Sequence, residues 1–219
     1  VNRHLYNEKS MSRHRTRPDS DVLAATIRVI SRIGPTRFTL ADVAADVGLA
    51  PATLLQRFGS KRGLLLAVAR EGAAGAAECF SQARSGQSSP LAALNCALGE
   101  MTRHAHTPEE LANGLAFLEM DLTDPDFHRL ARRSSKAILA GYRALFDDAI
   151  AAGELVACDT GRLSHAVHAL ANGSMLEWAI HREGALADWL RRDVATLLAP
   201  LRVPKTGRRA AASRLSKRT

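Results

Sequence analysis

With 219 residues, 46% of them hydrophobic, the chain is long enough for one large domain or two small ones and has ample material for a core. No stretch approaches about 18 uninterrupted apolar residues and the N-terminal segment is polar and basic without an apolar h-region, so neither a membrane span nor a secretory leader is expected and the expected location is the cytoplasm. The net charge of +8 is uneven: residues 1–20 carry +3, 21–70 carry +4, 71–201 carry −6 and 202–219 carry +7. A basic N-terminal portion on an acidic body is what phosphate binding by one end requires.

Residues 1–19 are polar and aperiodic and read as a disordered basic arm, with Met11 a candidate start. Arg13, Arg15 and Arg17 lie close ahead of the first helix, where such arms reach a groove or the backbone; a solvated terminus with no defined contact is the alternative. The first helix is expected over Ser20–Ile33, with Val22, Leu23, Ile27 and Ile30 as its apolar stripe and Gly34-Pro35 as its end. Thr39 caps the second, whose Leu40, Val43, Ala44 and Val47 fall at i, i+3, i+4 and i+7. Gly48 stops it, because glycine takes the left-handed conformation cheaply at a helix C-terminus. After a tight turn through Leu49 and Ala50, Pro51 opens a third, short helix. Leu54, Leu55 and Phe58 supply its inward face, leaving Ala52, Thr53, Gln56 and Arg57 outward. Phe38 and Phe58 fill the small core of this three-helix unit.

Two helices joined so tightly can place the second one's N-terminal residues in a major groove while the first crosses the backbone. Gln56 can then pair with adenine, Thr53 can bond a base edge or touch a thymine methyl, and Ala52 admits close backbone approach. Arg57, Arg37 and Lys61 suit phosphates; Ser60 caps the next helix, so Lys61 sits at its N-terminus, which itself favours an anion.

The stretch Leu49-Ala-Pro-Ala-Thr-Leu-Leu-Gln-Arg-Phe58-Gly-Ser-Lys61 resembles the turn, recognition helix and fourth-helix start of the tetracycline-repressor (TetR) family. The resemblance implies an all-α homodimer: an N-terminal helix-turn-helix domain, and a C-terminal helical domain that binds a small molecule and thereby releases DNA. It implies DNA contacts at Arg37, Thr39, Ala50, Pro51, Ala52, Thr53, Gln56, Arg57 and Lys61. Within the stretch Leu49 to Lys61 the chain departs from the family at three positions, having Ala50 where Ser is frequent, Ala52 where Gly is frequent and Leu55 where a phosphate-binding Tyr is frequent. Arg57 stands where His is common, offering a compensating cation.

The fourth helix should run from Lys61 into the low eighties through Leu64, Leu65, Val68 and Ala69 and join the two domains. Gly72 and Gly75 within it each cost about 1 kcal/mol relative to Ala, which signals close helix packing, the favoured reading, or a bend. Ser85 to Pro90 reads as a loop, and a fifth helix follows to about His106. Thr107-Pro-Glu-Glu110 is a capping-box pattern opening a sixth that ends near Leu122. Asp124-Pro125 opens a seventh, carrying Phe127, Leu130, Ile138, Leu139, Tyr142, Leu145, Phe146 and Ile150 to Gly153. Asp159 or Thr160 opens an eighth, to about His181, and a ninth spans Leu186–Leu201. The expected domains are 20–66 for DNA binding, 67–202 for effector binding and dimerisation, and a disordered basic tail over 203–219.

The eighth helix offers Ala166, Ala169 and Gly173, small residues that let another helix come close, and the ninth offers Leu190, Val194 and Leu197. The resemblance implies that these two helices form a four-helix dimer interface, matching a palindromic double-stranded operator. Met101, Phe117, Met120, Phe127, Tyr142, Phe146, Met175 and Trp178 are candidates to line an apolar effector cavity, with His104, His168 and Asn172 as its polar groups; for most of them, taken singly, ordinary core is the favoured reading, because helical spacing alone demands apolar residues there. Cys79, Cys96 and Cys158, odd in number and without a C-x-x-C pair, argue against a disulfide framework and a zinc site, and buried thiols are expected. No metal-ligand cluster, nucleophile elbow or phosphate-binding glycine loop occurs, so neither an enzyme nor a cofactor is expected. The reading is a DNA-binding transcriptional regulator, a repressor released by a small, largely apolar effector. Its rival is an effector-independent architectural protein held to DNA by the basic arm and tail.

Overall fold

In the computed structural model, which describes residues 17–103 and 105–204, side chains at the helix starts do most of the local specification. Helix α1 (Asp19–Ile33) follows Pro18 and carries Asp19 and Asp21 in its first turn, where the helix dipole favours negative charge. Thr39 and Asp42 form a reciprocal capping box at α2 (Leu40–Val47), and Gly48 ends that helix at φ 69°, in the left-handed region. Helix α3 (Pro51–Phe58) has Pro51 in its first turn and no side-chain cap at Ala50. Ser60, Ser89, Thr107, Asp124 and Asp159 then cap α4 (Lys61–Ser85), α5 (Pro90–Met101), α6 (Pro108–Thr123), α7 (Pro125–Ala151) and α8 (Thr160–His181). Helix α9 (Leu186–Leu198) runs into a short 3-10 turn, Ala199–Leu201.

Two apolar cores divide the molecule. The first joins α1, α2 and α3 to the start of α4 through Val22, Val29, Phe38, Val43, Leu54 and Leu64. One fully buried residue in it comes from far along the chain: Phe127, in the first turn of α7. The second core unites α5, α7, α8 and α9 with the far end of α4, around Phe80, Leu98, Tyr142, Phe146, Trp178 and Leu190. Helix α4 therefore belongs to both, running as one 25-residue element from the N-terminal head into the body.

Several expectations need correction. Helix α5 stops at Met101, short of His106, with Thr102 as its C-cap. Close packing does not account for Gly72 and Gly75, because a Cβ at either would meet no atom within 4 Å. The glycine that close packing does require is Gly141 on α7, where a Cβ would run into the Phe80 ring of α4. The three cysteines are free, yet Cys96 is exposed; Cys79 is half-buried, and burial raises its thiol pKa. Of the expected disordered arm over 1–19, residues 1–16 lie outside the described residues, as does nearly all of the basic tail, while Asp19 already belongs to α1.

Candidate nucleic-acid interface and the cavity behind it

Helix α3 presents Pro51, Ala52, Leu55, Gln56 and Arg57 outward, with Thr53 half-exposed and Leu54 fully buried beneath. Leu55 is 51% exposed, which corrects its placement on the inward face. In a helix of eight residues the i, i+4 pair Leu54 and Phe58 defines the inner face, and residue 55 lies about 100° round from residue 54. Leu55 thus joins Ala52 and Gln56 on the outer surface. The Gln56 amide makes no hydrogen bond among the described residues, leaving its donor and acceptor pair open.

The flanking cations are held by the protein's own backbone. Arg57 Nη1 donates to the Arg17 carbonyl at 2.8 Å, and its Nη2 pairs with Asp19. Lys61 Nζ donates to the Thr36 carbonyl at 2.7 Å and lies 4.5 Å from the Phe38 ring centroid. Arg37 Nε donates to the Ile33 carbonyl at 2.8 Å. Each side chain has further donors; Lys61 and Arg37 are met by carbonyls and keep their charge uncompensated there, whereas Asp19 pairs with the charge of Arg57. Thr39 is engaged in the α2 cap: its hydroxyl lies 2.7 Å from an Asp42 carboxylate oxygen, and the two Thr39 bonds hold that carboxyl below its ordinary pKa.

Behind this surface the head is fastened to the body at two places that the sequence reading did not single out. Arg62, next to the predicted phosphate contact Lys61, reaches Asp124 at 2.7 Å and Asp126 at 2.8 Å across the α6–α7 junction. Those bonds hold the Arg62 pKa up and the Asp124 pKa down. The Arg62 guanidinium also lies 5.7 Å from the Phe127 ring centroid. On the other side, Asn113 Nδ2 of α6 donates to the Ser31 carbonyl of α1 at 2.8 Å. The only sequence signal was Asp124-Pro125-Asp126, which explains itself as a helix cap and so conceals the second role.

Between these fastenings lies a cavity of about 360 Å³, walled by α1, α4, α6 and α7 and the end of α5. Of the predicted lining residues, Met101 and Phe117 border it. Met120 and Phe127 instead pack in the head core, while Tyr142, Phe146 and Trp178 are fully enclosed in the body core. Their size explains this: large apolar side chains on the inward stripes of long helices fill space between helices before they can line a void. Tyr142 donates to Met101 Sδ at 3.0 Å, and Trp178 Nε1 to the Gly184 carbonyl at 3.0 Å. Met175 packs half-buried against the same core, and Asn172 is exposed on the opposite side of α8. The His168 ring centroid lies 6.3 Å from that of Tyr142, its Nδ1 has no hydrogen-bond partner among the described residues, and burial lowers its pKa. His104 lies outside the described residues.

The outer face of α8 exposes Ala166, Ala169 and, partly, Gly173, in line with the exposed apolar Leu176 and Ile180. Leu190 and Val194 are buried in the protomer's own core and are therefore removed from any outer surface, and Leu197 is half-buried against that core. Among the described residues no group of His, Cys, Asp and Glu could hold a metal ion, and no helix is long and apolar enough to cross a membrane.

Two family models match this architecture. Residues 22–68 match the model of bacterial regulatory proteins of the tetR family, and residues 91–203 match that of the BetI-type transcriptional repressor C-terminal domain. No curated protein matches. Solved structures with the same fold include a putative TetR-family transcriptional regulator from Rhodococcus sp., 20% identical, covering 84% of this chain and 98% of that one at a TM-score of 0.63. A TetR-family regulator from Agrobacterium tumefaciens is also 20% identical, covering 84% and 97% at a TM-score of 0.65. The fatty acid degradation regulator FadR from Bacillus halodurans is 15% identical, covering 84% and 100% at a TM-score of 0.65. A capped helix-turn-helix head, a shared connecting helix and a helical body matched by the second model over residues 91–203 give one conclusion: the chain belongs to the TetR family of bacterial regulatory proteins.

Proposed function

We propose that this DNA-binding transcriptional regulator is a homodimeric repressor whose two recognition helices enter successive major grooves of a palindromic operator, and that a small molecule in the head–body cavity releases it. The observation that carries the reading is the outer face of α3, where Gln56 is uncommitted beside Ala52 and Thr53 while Arg57 and Lys61 are pre-aimed at its flanks. That arrangement suits base readout from the centre and phosphate contact from the edges. Regulators of this family are not enzymes, and the cavity is read here as a sensor site.

The cavity supports the release step because α1 of the head forms part of its wall through Ile27, Ile30 and Ser31. An occupant touches head and body at once. It can shift the regulator only by as much as it prefers one head–body disposition over the other. For the dimer, the exposed stripe of Ala166, Ala169, Gly173, Leu176 and Ile180 supplies a flat apolar face of small and medium side chains.

The test is sedimentation of the full chain at micromolar concentration, wild type against Ile180→Asp. Wild type should sediment at twice the chain mass and the variant as a folded monomer that binds 30-base-pair duplexes at least about tenfold more weakly, since one of two heads is lost. A monomeric wild type would refute the dimeric reading.

A further inference from the structure

The stretch of α7 from Arg129 to Lys136 holds four Lys and Arg and no Asp or Glu, although residues 71–201 as a whole carry −6. Arg129, Arg132, Arg133 and Lys136 fall at i, i+3, i+4 and i+7, the spacing of one helical face. That face is turned away from the cavity: Leu130, Ala131 and Ser134 supply the share of α7 in the cavity wall, and the four cations are exposed on the other side of the helix. The hollow between their side chains, about 350 Å³, has no other residue on its lining. Like charges at these spacings repel one another unless a carboxylate intervenes. Arg129 has that relief from Asp126. Arg132, Arg133 and Lys136 make no ion pair or hydrogen bond among the described residues, so their charge is open to an external anion.

The position of the face indicates which anion. Asp126 pairs with Arg129 and, at 2.8 Å, with Arg62, the neighbour in sequence of the candidate phosphate contact Lys61. A basic track thus runs from Lys61 through Arg62 to Arg129 and on to Lys136, which lies about 15 Å along α7 from Asp126. Helices α4 and α7 run in the same direction, tied by Arg62 to Asp126 at one end and by Arg84 to Asp148 at the other. The track therefore climbs from the head up the flank of the body. Phosphates recur about every 3.4 Å along one strand, so such a track spans about four of them. We propose that this face of α7 is a second DNA-contact surface, which takes the phosphate backbone of the duplex flanking the operator and curves it toward the body. Its contacts are to phosphate alone, adding affinity without sequence preference. The inference rests on the operator reading above and extends it beyond the recognition helix.

Arg132→Gln/Lys136→Gln removes two of the unpartnered charges, and Arg103→Gln/Arg162→Gln removes the same charge from exposed positions elsewhere in the body. Circular dichroism confirms that each full-length variant is folded. Wild type and both variants are titrated by fluorescence anisotropy with mixed-sequence duplexes of about 20 and about 40 base pairs, at about 50 to 200 mM salt. On the longer duplex the α7 variant should show a salt slope shallower by about 2, since each lost phosphate contact removes about 0.9, and should bind at least about tenfold more weakly. The control variant should keep the wild-type slope. Lengthening the duplex should raise affinity at least about threefold more for wild type than for the α7 variant. An unchanged slope, an equal change in the control variant, or an equal gain with length would each overturn the proposal. If the slope is unchanged, retention of oligoglutamate by wild type and not by the α7 variant would assign the face to an acidic protein instead. Wild type that binds neither duplex would remove the operator reading as well, whereas duplex binding weakened by Arg57→Ala but untouched by the α7 variant would remove this inference alone.

Discussion

Phe127 is the residue through which the body completes the head's core, and its removal should loosen one from the other. It is 1% exposed, sits in the first turn of α7, and lies against Phe117 at a centroid separation of 6.4 Å. Truncation to Ala deletes a whole buried ring, and the caps and salt bridges around it keep the site from collapsing, so the loss should be about 3–5 kcal/mol. That is a large fraction of the stability of a small domain. The loss is directional. Hydrogen exchange should show the amides of α1, α2 and α3 losing protection while α8 and α9 keep theirs, because the body core does not contain Phe127. Phe146→Ala, equally buried but within the body, should cost a similar amount and unprotect the body instead. Urea unfolding followed by circular dichroism measures the magnitude and exchange measures the location. A loss below about 1 kcal/mol, or deprotection spread evenly over all helices, would refute the view that α7 holds the head.

Other consequences follow from single residues. Gly141→Ala should destabilise by about 1–3 kcal/mol, despite the better helix propensity of Ala, because the new methyl meets the Phe80 ring; a neutral or stabilising result in thermal unfolding would contradict the close approach. Thr39→Ala should cost about 1 kcal/mol through loss of the α2 cap and should also weaken DNA binding, read by fluorescence anisotropy. Because burial lowers the His168 pKa, the unfolded chain takes up a proton there before the folded one does. Its contribution is therefore intact above the unfolded value, near 6.5, and is lost as pH falls from there toward the lower folded value; His168→Gln should flatten that part of the stability–pH curve. For Asp121, on the cavity wall, burial raises the folded pKa, so its ionised form weakens the ligand-free protein at neutral pH and the penalty fades in acid. Asp121→Asn should raise the melting temperature at pH 7 and give no gain near pH 3.

The head was legible in the sequence because its signals are local. Thr39 with an i, i+3, i+4, i+7 stripe, Gly48 and Pro51 each dictate backbone geometry within a few residues, and the resulting helices sit where those residues put them. Leu55 was misplaced because three apolar residues at 54, 55 and 58 overfill the inner face of an eight-residue helix, and only packing decides which is excluded. The cavity was hard to read for the opposite reason. Its lining is drawn from five helices and is distinguished by what is small or missing, such as Gly72 and Gly114, while the conspicuous aromatics Tyr142, Phe146 and Trp178 went to the core. Asp121 gave no signal, since one carboxylate on an amphipathic helix is ordinary until the space in front of it is known. The Arg62 link to Asp124 and Asp126 spans more than 60 positions, and neither end implies the other.

The most direct test of the central claim is selection of bound sequences from a random duplex pool by the full chain at near-physiological salt, with Gln56→Ala and Arg57→Ala run in parallel. A palindromic motif in wild type, relaxed at one base pair per half-site in Gln56→Ala and bound uniformly more weakly by Arg57→Ala, is the predicted result. Salt-sensitive binding with no enriched motif, or a motif unchanged in Gln56→Ala, would contradict the assignment of base readout to the outer face of α3.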